Sequence, residues 1–144
     1  MKVVVLLVSA VLFSTSADQQ VDSKQELKLL EGTWQVLTLE VDGKPQPPEK
    51  SPKEFVITDN KLTGIGPEMT MMLDATKKPK WVDLTFKKKD KDYPIKAIYE
   101  LEGDNLKICM PLAAKGKVFE NKRPENFDTA GTGVALFTAK RATK

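Results

Sequence analysis

Ile98-Tyr99-Glu100-Leu101-Glu102-Gly103-Asp104-Asn105-Leu106-Lys107-Ile108-Cys109 reads as a β-hairpin. Gly103-Asp104 supplies the two turn positions, where residues that tolerate unusual backbone angles are needed. A two-residue turn at this point sets the register of everything on either side. Leu101 then faces Leu106, Tyr99 faces Ile108 and Ala97 faces Met110, all on one side. Glu100 faces Lys107 on the other side, an opposite-charge cross-strand pair. An apolar face backed by a charged face is the pattern of an antiparallel sheet with one side in a core. Cys109 falls on the charged side with Glu100 and Lys107.

Strand signals continue outward in both directions. Residues 80–88 place Val82, Leu84 and Phe86 inward and Trp81, Asp83 and Thr85 outward. The run Lys87-Lys88-Lys89-Asp90-Lys91-Asp92 interleaves its charges and reads as a solvated hairpin loop. Residues 68–74 put Met69, Met71 and Leu73 on one face. Residues 54–58 and 61–64 form a hairpin around Asp59-Asn60. Residues 33–41 carry Trp34, Val36 and Thr38 on one face and Leu37, Leu39 and Val41 on the other, which predicts a strand packed on both sides. Asp42-Gly43 breaks that strand, and Pro45, Pro47, Pro48 and Pro52 make the next segment a loop. Pro111 ends the strand that begins near Asn105. Residues 115–117 and 123–133 read as loops, and residues 134–140 as a final strand closed by Arg141. Ahead of all this, Ser23-Lys24-Gln25-Glu26 fits a capping box, Leu27 and Leu30 share a face, and Gly32 stops the segment. This predicts one short helix over residues 23–30. About eight strands and one helix, evenly spaced, suit an antiparallel barrel or sandwich.

Length and composition narrow the class. A chain of 144 residues is one domain's worth. Lys2, the apolar run from Val3 to Phe13 and the small residues Ser14-Thr15-Ser16-Ala17 have the three parts of a secretory leader, with the cut after Ala17. The apolar run is far short of the roughly 20 residues that span a bilayer, so no membrane span is expected. Residues 1–17 are read as the leader and residues 18–144 as the domain, exported to the periplasm or beyond. The formal net charge of +3 falls by one when Lys2 leaves with the leader, which leaves no electrostatic footprint for nucleic acid. A single cysteine, Cys109, allows no intrachain disulfide, so the core must hold the fold without staples. The absence of histidine removes the commonest general base and the commonest metal ligand.

Four fingerprints then carry a family resemblance: Leu30-Glu31-Gly32-Thr33-Trp34, Pro79-Lys80-Trp81-Val82-Asp83-Leu84, the hairpin from Ile98 to Cys109, and Arg123-Pro124-Glu125-Asn126-Phe127. Gly32-Thr33-Trp34 after a short helix resembles the Gly-x-Trp signature of lipocalins. Arg141 resembles the basic residue that packs on that tryptophan and closes the barrel. The full set, in order, resembles an uncharacterised lipocalin-like domain family found largely in planctomycete-type bacteria. It covers the chain from about Glu26 to Arg141. The resemblance implies an all-β fold, a small antiparallel up-and-down β-barrel of about eight strands, and an exported bacterial setting. It brings no activity with it.

Two functions follow as expectations. In the first, the barrel holds a small apolar or amphipathic ligand. Met71, Leu84, Phe86, Tyr99 and Met110 would line the pocket, and Arg123 would sit near its mouth. Barrels of this size either hold one small ligand or are filled by their own side chains. In the second, the core is filled and the domain meets an envelope protein partner through its outer surface, with Trp81 as the first contact. Asp83, Glu100 and Arg123 form either a polar site at the barrel mouth or an ion-pair network that pins the Arg123-Pro124 loop to the wall. Met69, Met71, Met72 and Met110 serve as core filler or as an adaptable lining. No nucleophile–base pair, phosphate loop, dinucleotide fingerprint or zinc spacing is present, so no enzyme, cofactor or metal is expected. Without histidine, only Lys107 or a carboxylate could activate Cys109, which reads as a structural thiol rather than a reactive one.

Overall fold

The computed structural model describes residues 16–112 and 119–143, with side chains from residue 23 onward. One helix, α1 (Ser16–Leu30), precedes the strands β1 (Gly32–Val41), β2 (Lys44–Pro45), β3 (Glu54–Thr58), β4 (Lys61–Gly64), β5 (Gly66–Asp74), β6 (Lys80–Lys88), β7 (Lys91–Glu102), β8 (Asn105–Pro111) and β9 (Val134–Arg141). Each strand from β3 to β9 pairs antiparallel with the next, and β1 pairs with both β3 and β9. That last pairing closes the sheet into an eight-stranded up-and-down barrel. β2 is a two-residue appendix on the end of β1. The expected leader lies, except for its last two residues, outside the described residues.

The deciding hairpin has the expected register: Leu101 pairs with Leu106, Glu100 with Lys107 and Tyr99 with Ile108. The β7–β8 ladder stops at Ile98–Cys109, one pair short of the expected Ala97–Met110. Beyond it β8 keeps only β9 as a partner, through Met110–Ala135 and Pro111–Val134. The bared edge of β7 is blunted. Asn121 Oδ1 accepts the Lys96 N–H at 2.8 Å, and Pro94 has no N–H to offer an added strand. The lysine-rich run is a tighter turn than expected: Lys89 and Asp90, at φ of 50° and 62°, link strands that reach Lys88 and restart at Lys91.

β1 corrects one expectation. Trp34 and Val36 lie in the interior, and Leu39 and Val41 lie there too. The register with β9 slips between Val36 and Thr38, so Leu37 is an extra residue and stands 56% exposed. A bulge of one residue reverses the alternation, which is how a strand that reads as apolar on both faces packs on one.

The helix corrects another. Among the described residues it runs from Ser16, so Ser23 lies inside it and caps nothing. Ser23 Oγ instead donates to Leu73 O at 3.1 Å. Glu26 does not turn back to the backbone; it accepts from Lys80 Nζ at 2.6 Å and from Tyr99 O–H at 3.2 Å. The capping-box residues therefore fasten the helix across one end of the barrel. Gly32, at φ of 133°, ends the helix as expected. Trp34 Nε1 donates to Leu30 O at 2.9 Å, and the Arg141 guanidinium lies 4.3 Å over the indole. Arg141 also donates to Leu29 O and Glu31 O, each at 2.6 Å, which satisfies carbonyls that the helix end leaves open.

Two cores result. The larger fills the barrel around Trp34, Phe55, Leu62, Leu84, Tyr99 and Ile108. The smaller lies outside the wall, where Phe127 and Leu136 cover Ile98, Cys109 and Val134. Residues 119–133 thus act as a strap over the outer face of the sheet rather than as a free loop. Thr129 anchors its far end: its hydroxyl donates to Glu40 Oε1 and accepts the Gly43 N–H at 3.0 Å.

Candidate functional site

The expected site residues divide between the two sides of the wall. Met71, Leu84, Tyr99 and Met110 all face the interior and are 4%, 0%, 1% and 3% exposed. A void wide enough for water leaves part of its lining uncovered; these side chains touch other atoms on nearly every side. Phe86 sits half-buried at the barrel end away from the helix, stacked on Tyr93 with 5.2 Å between centroids. Val41, Ile65 and Ile95 share its partial burial. Tyr99 ends in the Glu26–Lys80 contact. Burial, then the negative charge of Glu26, raises its phenol well above the ordinary tyrosine range.

Arg123 does not join them. It comes from the strap and lies on the outer wall. Nη1 donates to Ala97 O at 2.7 Å, and Nη2 donates to Asp83 Oδ1 at 2.5 Å. The Arg123 side chain is 15% exposed and that of Asp83 is 49%. Glu100 stands opposite Lys107, apart from this pair. Of the two arrangements weighed for these charges, the geometry is the one that pins the Arg123-Pro124 segment to the wall.

Trp81 is where that segment meets open surface. It is outward-facing, as expected, and 37% exposed. The Arg123 guanidinium lies 4.3 Å from its ring centre and Lys77 Nζ lies 4.8 Å away. The indole lines a shallow hollow of about 530 Å³ together with Lys96, Glu120, Asn121, Lys122 and Arg123. A neighbouring hollow of about 670 Å³ lies between the strap and Pro111, Leu112 and Val134. Sequence reasoning found Trp81 and Arg123 but missed Lys96, Asn121 and Lys122. The only signal for them was an outward tryptophan beside an aspartate that needed a distant arginine.

Cys109 is fully buried under the strap. Burial, with a smaller push from the charge of Glu40, raises its thiol to about 11. Both Cys109 and Tyr99 hold their protons more tightly folded than unfolded. Stability is therefore complete below the unfolded values, near 9 and 10, and falls as pH rises above them. We expect urea midpoints to drop steadily above pH 9, with about 2–3 kcal/mol lost to the thiol alone by pH 11. Cys109→Ala should flatten the part of the loss between pH 9 and 11. A midpoint independent of pH across that window rules the account out.

Among the described residues, no group of three or more metal-ligating side chains converges, and no helix is long and apolar enough to cross a membrane. No protein-family model, curated protein or solved structure matches this chain.

Proposed function

We propose that this chain is an exported, non-catalytic binding domain whose filled barrel supports an interaction surface on the outer wall at Trp81. One observation carries the reading: a large aromatic side chain stands exposed in a hollow under Arg123, itself paired with Asp83, while Met71, Leu84, Tyr99 and Met110 are buried inside the barrel. Exposed aromatics set in a fixed polar surround are the usual anchors of protein interfaces. A leader-directed envelope location, and membership of the lipocalin-like family that the four fingerprints resemble, are parts of the same proposal.

The test compares the mature protein with Trp81→Ala on a native envelope fraction. Trp81→Ala should lose the co-purifying partner while its circular dichroism and melting temperature stay near the parent's. Partner recovery that is indifferent to Trp81→Ala overturns the reading. The half-buried rim of Phe86, Val41, Ile65 and Ile95 favours a second reading, an apolar ligand at the open end of the barrel. Native mass spectrometry separates the two. A bare chain mass supports the surface reading, and an extra mass released on denaturation supports the ligand.

A further inference from the structure

The chemistry of the Trp81 hollow narrows the partner, on the premise that Trp81 is the docking anchor. Its rim is rich in hydrogen-bond donors and positive charge. Lys77, Lys96 and Lys122 are all exposed, and none is within ion-pair distance of a carboxylate among the described residues. Arg123 is committed to Asp83. Asn121 uses its oxygen on the Lys96 N–H, so its amide N–H groups remain to donate. Among the described residues four cations, Lys77, Lys96, Lys122 and Arg123, stand here against three carboxylates. Asp83 holds Arg123, and Asp74, opposite Trp81, accepts the N–H and O–H of Thr76 at 3.1 and 2.5 Å and stays ionised near Lys77 and Arg123. Among the described residues, Glu120 is the one further carboxylate lining the hollow.

Beside this cationic rim lies apolar surface. Met72 is 72% exposed and stands opposite Asp83 in the β5–β6 ladder, on the same outer face as Trp81. Met72 and Trp81 offer an adaptable thioether and an indole within one patch. We propose that the Trp81 hollow binds an acidic linear segment of a partner protein, with carboxylates on Lys77, Lys96 and Lys122 and an apolar side chain between Trp81 and Met72. An acidic sugar is the closest rival in charge. A sugar ring needs a bare aromatic face on which to stack, and here Lys77 and Arg123 already lie over the indole. Carboxylate side chains add to those cations without displacing them. The edge of β7 is blunted at Pro94 and Lys96, so the segment docks through its side chains rather than as an added strand.

The test is selection of a random peptide library, displayed on phage, against the mature protein, with counter-selection on Trp81→Ala. The expected winners carry several Asp or Glu around an aromatic or aliphatic residue. Their binding should fall steeply with added salt and weaken about tenfold in Lys96→Glu/Lys122→Glu. Lys96→Gln/Lys122→Gln should give a smaller loss, and circular dichroism checks that both variants fold. Winners without acidic enrichment overturn the inference, as does binding of oligogalacturonate by a protein that selects no peptide. If partner recovery depends on Trp81 but acidic winners do not compete for it, the acidic-segment inference fails and the Trp81 reading stands. If recovery never depends on Trp81, both fall together.

Discussion

Trp34→Ala is expected to remove about 3–5 kcal/mol of folding stability, the range for deleting a fully buried aromatic side chain. A domain of this size has about 5–15 kcal/mol in all, so the variant should be close to unfolding at room temperature. Trp34 is 0% exposed and does three jobs at once. It fills the helix end of the barrel and stacks with Phe55 at 6.5 Å between centroids. Its N–H satisfies Leu30 O. Its outer face supports the Arg141 guanidinium, whose bonds to Leu29 O and Glu31 O hold the end of α1. Truncation leaves a cavity, an unmet carbonyl and an arginine without its platform. Trp34→Phe keeps a ring and loses the N–H, so its cost should be smaller. Trp81→Ala is the control, since an exposed tryptophan on the outer wall should cost about 1 kcal/mol or less. Urea denaturation followed by circular dichroism reads all three. A Trp34→Ala loss no larger than that of Trp81→Ala sinks the argument.

Arg123→Ala should make Cys109 reactive. In the parent protein the thiol is fully buried beneath Phe127 and Leu136, and its raised pKa keeps it protonated at neutral pH. Opening of the strap removes Phe127 and uncovers the thiol, so the rate with a disulfide reagent such as DTNB reports how often the strap lifts. Arg123 holds that strap through one bond to Ala97 O, one ion pair to Asp83 and the face of Trp81. Asp83 is half exposed, so its ion pair contributes little alone. With the bond to Ala97 O, the lost attachment comes to about 2 kcal/mol, or about a thirtyfold rise in the open population and in thiol reactivity. Arg123→Lys keeps the charge but not the fork, and should fall between. The melting temperature should move little, because the barrel core is untouched. Unchanged thiol kinetics in Arg123→Ala mean that the strap is held elsewhere, and Thr129→Val, which breaks the Glu40 and Gly43 contacts, is then the variant to examine.

The readable features of this fold were those written locally. The Gly103-Asp104 turn and the two-residue alternation around it specified a register that β7 and β8 adopt from Leu101–Leu106 to Ile98–Cys109. Gly32 marked the helix stop, and Trp81 was placed outward by the same alternation. The failures came where a contact distant in sequence overruled the local signal. Ser23 and Glu26 have the composition of a cap, yet they serve as anchors to Leu73, Lys80 and Tyr99, because the helix runs through them. β1 reads as apolar on two sides, because no local rule places a bulge at Leu37.

The antiparallel, period-two architecture and the split of residues between an apolar and a polar face are legible in the order of the amino acids. Those follow from side-chain alternation and turn chemistry, which act over a few residues. Three-dimensional packing settles that Met71, Leu84, Tyr99 and Met110 are buried inside the barrel, that Arg123 belongs to the outer wall, and that Cys109, on the polar side of its hairpin, is buried. Each depends on where residues 119–133 come to rest and on how side chains from opposite strands meet across the barrel. Those are packing choices among groups far apart in the chain, on which a local pattern carries no information.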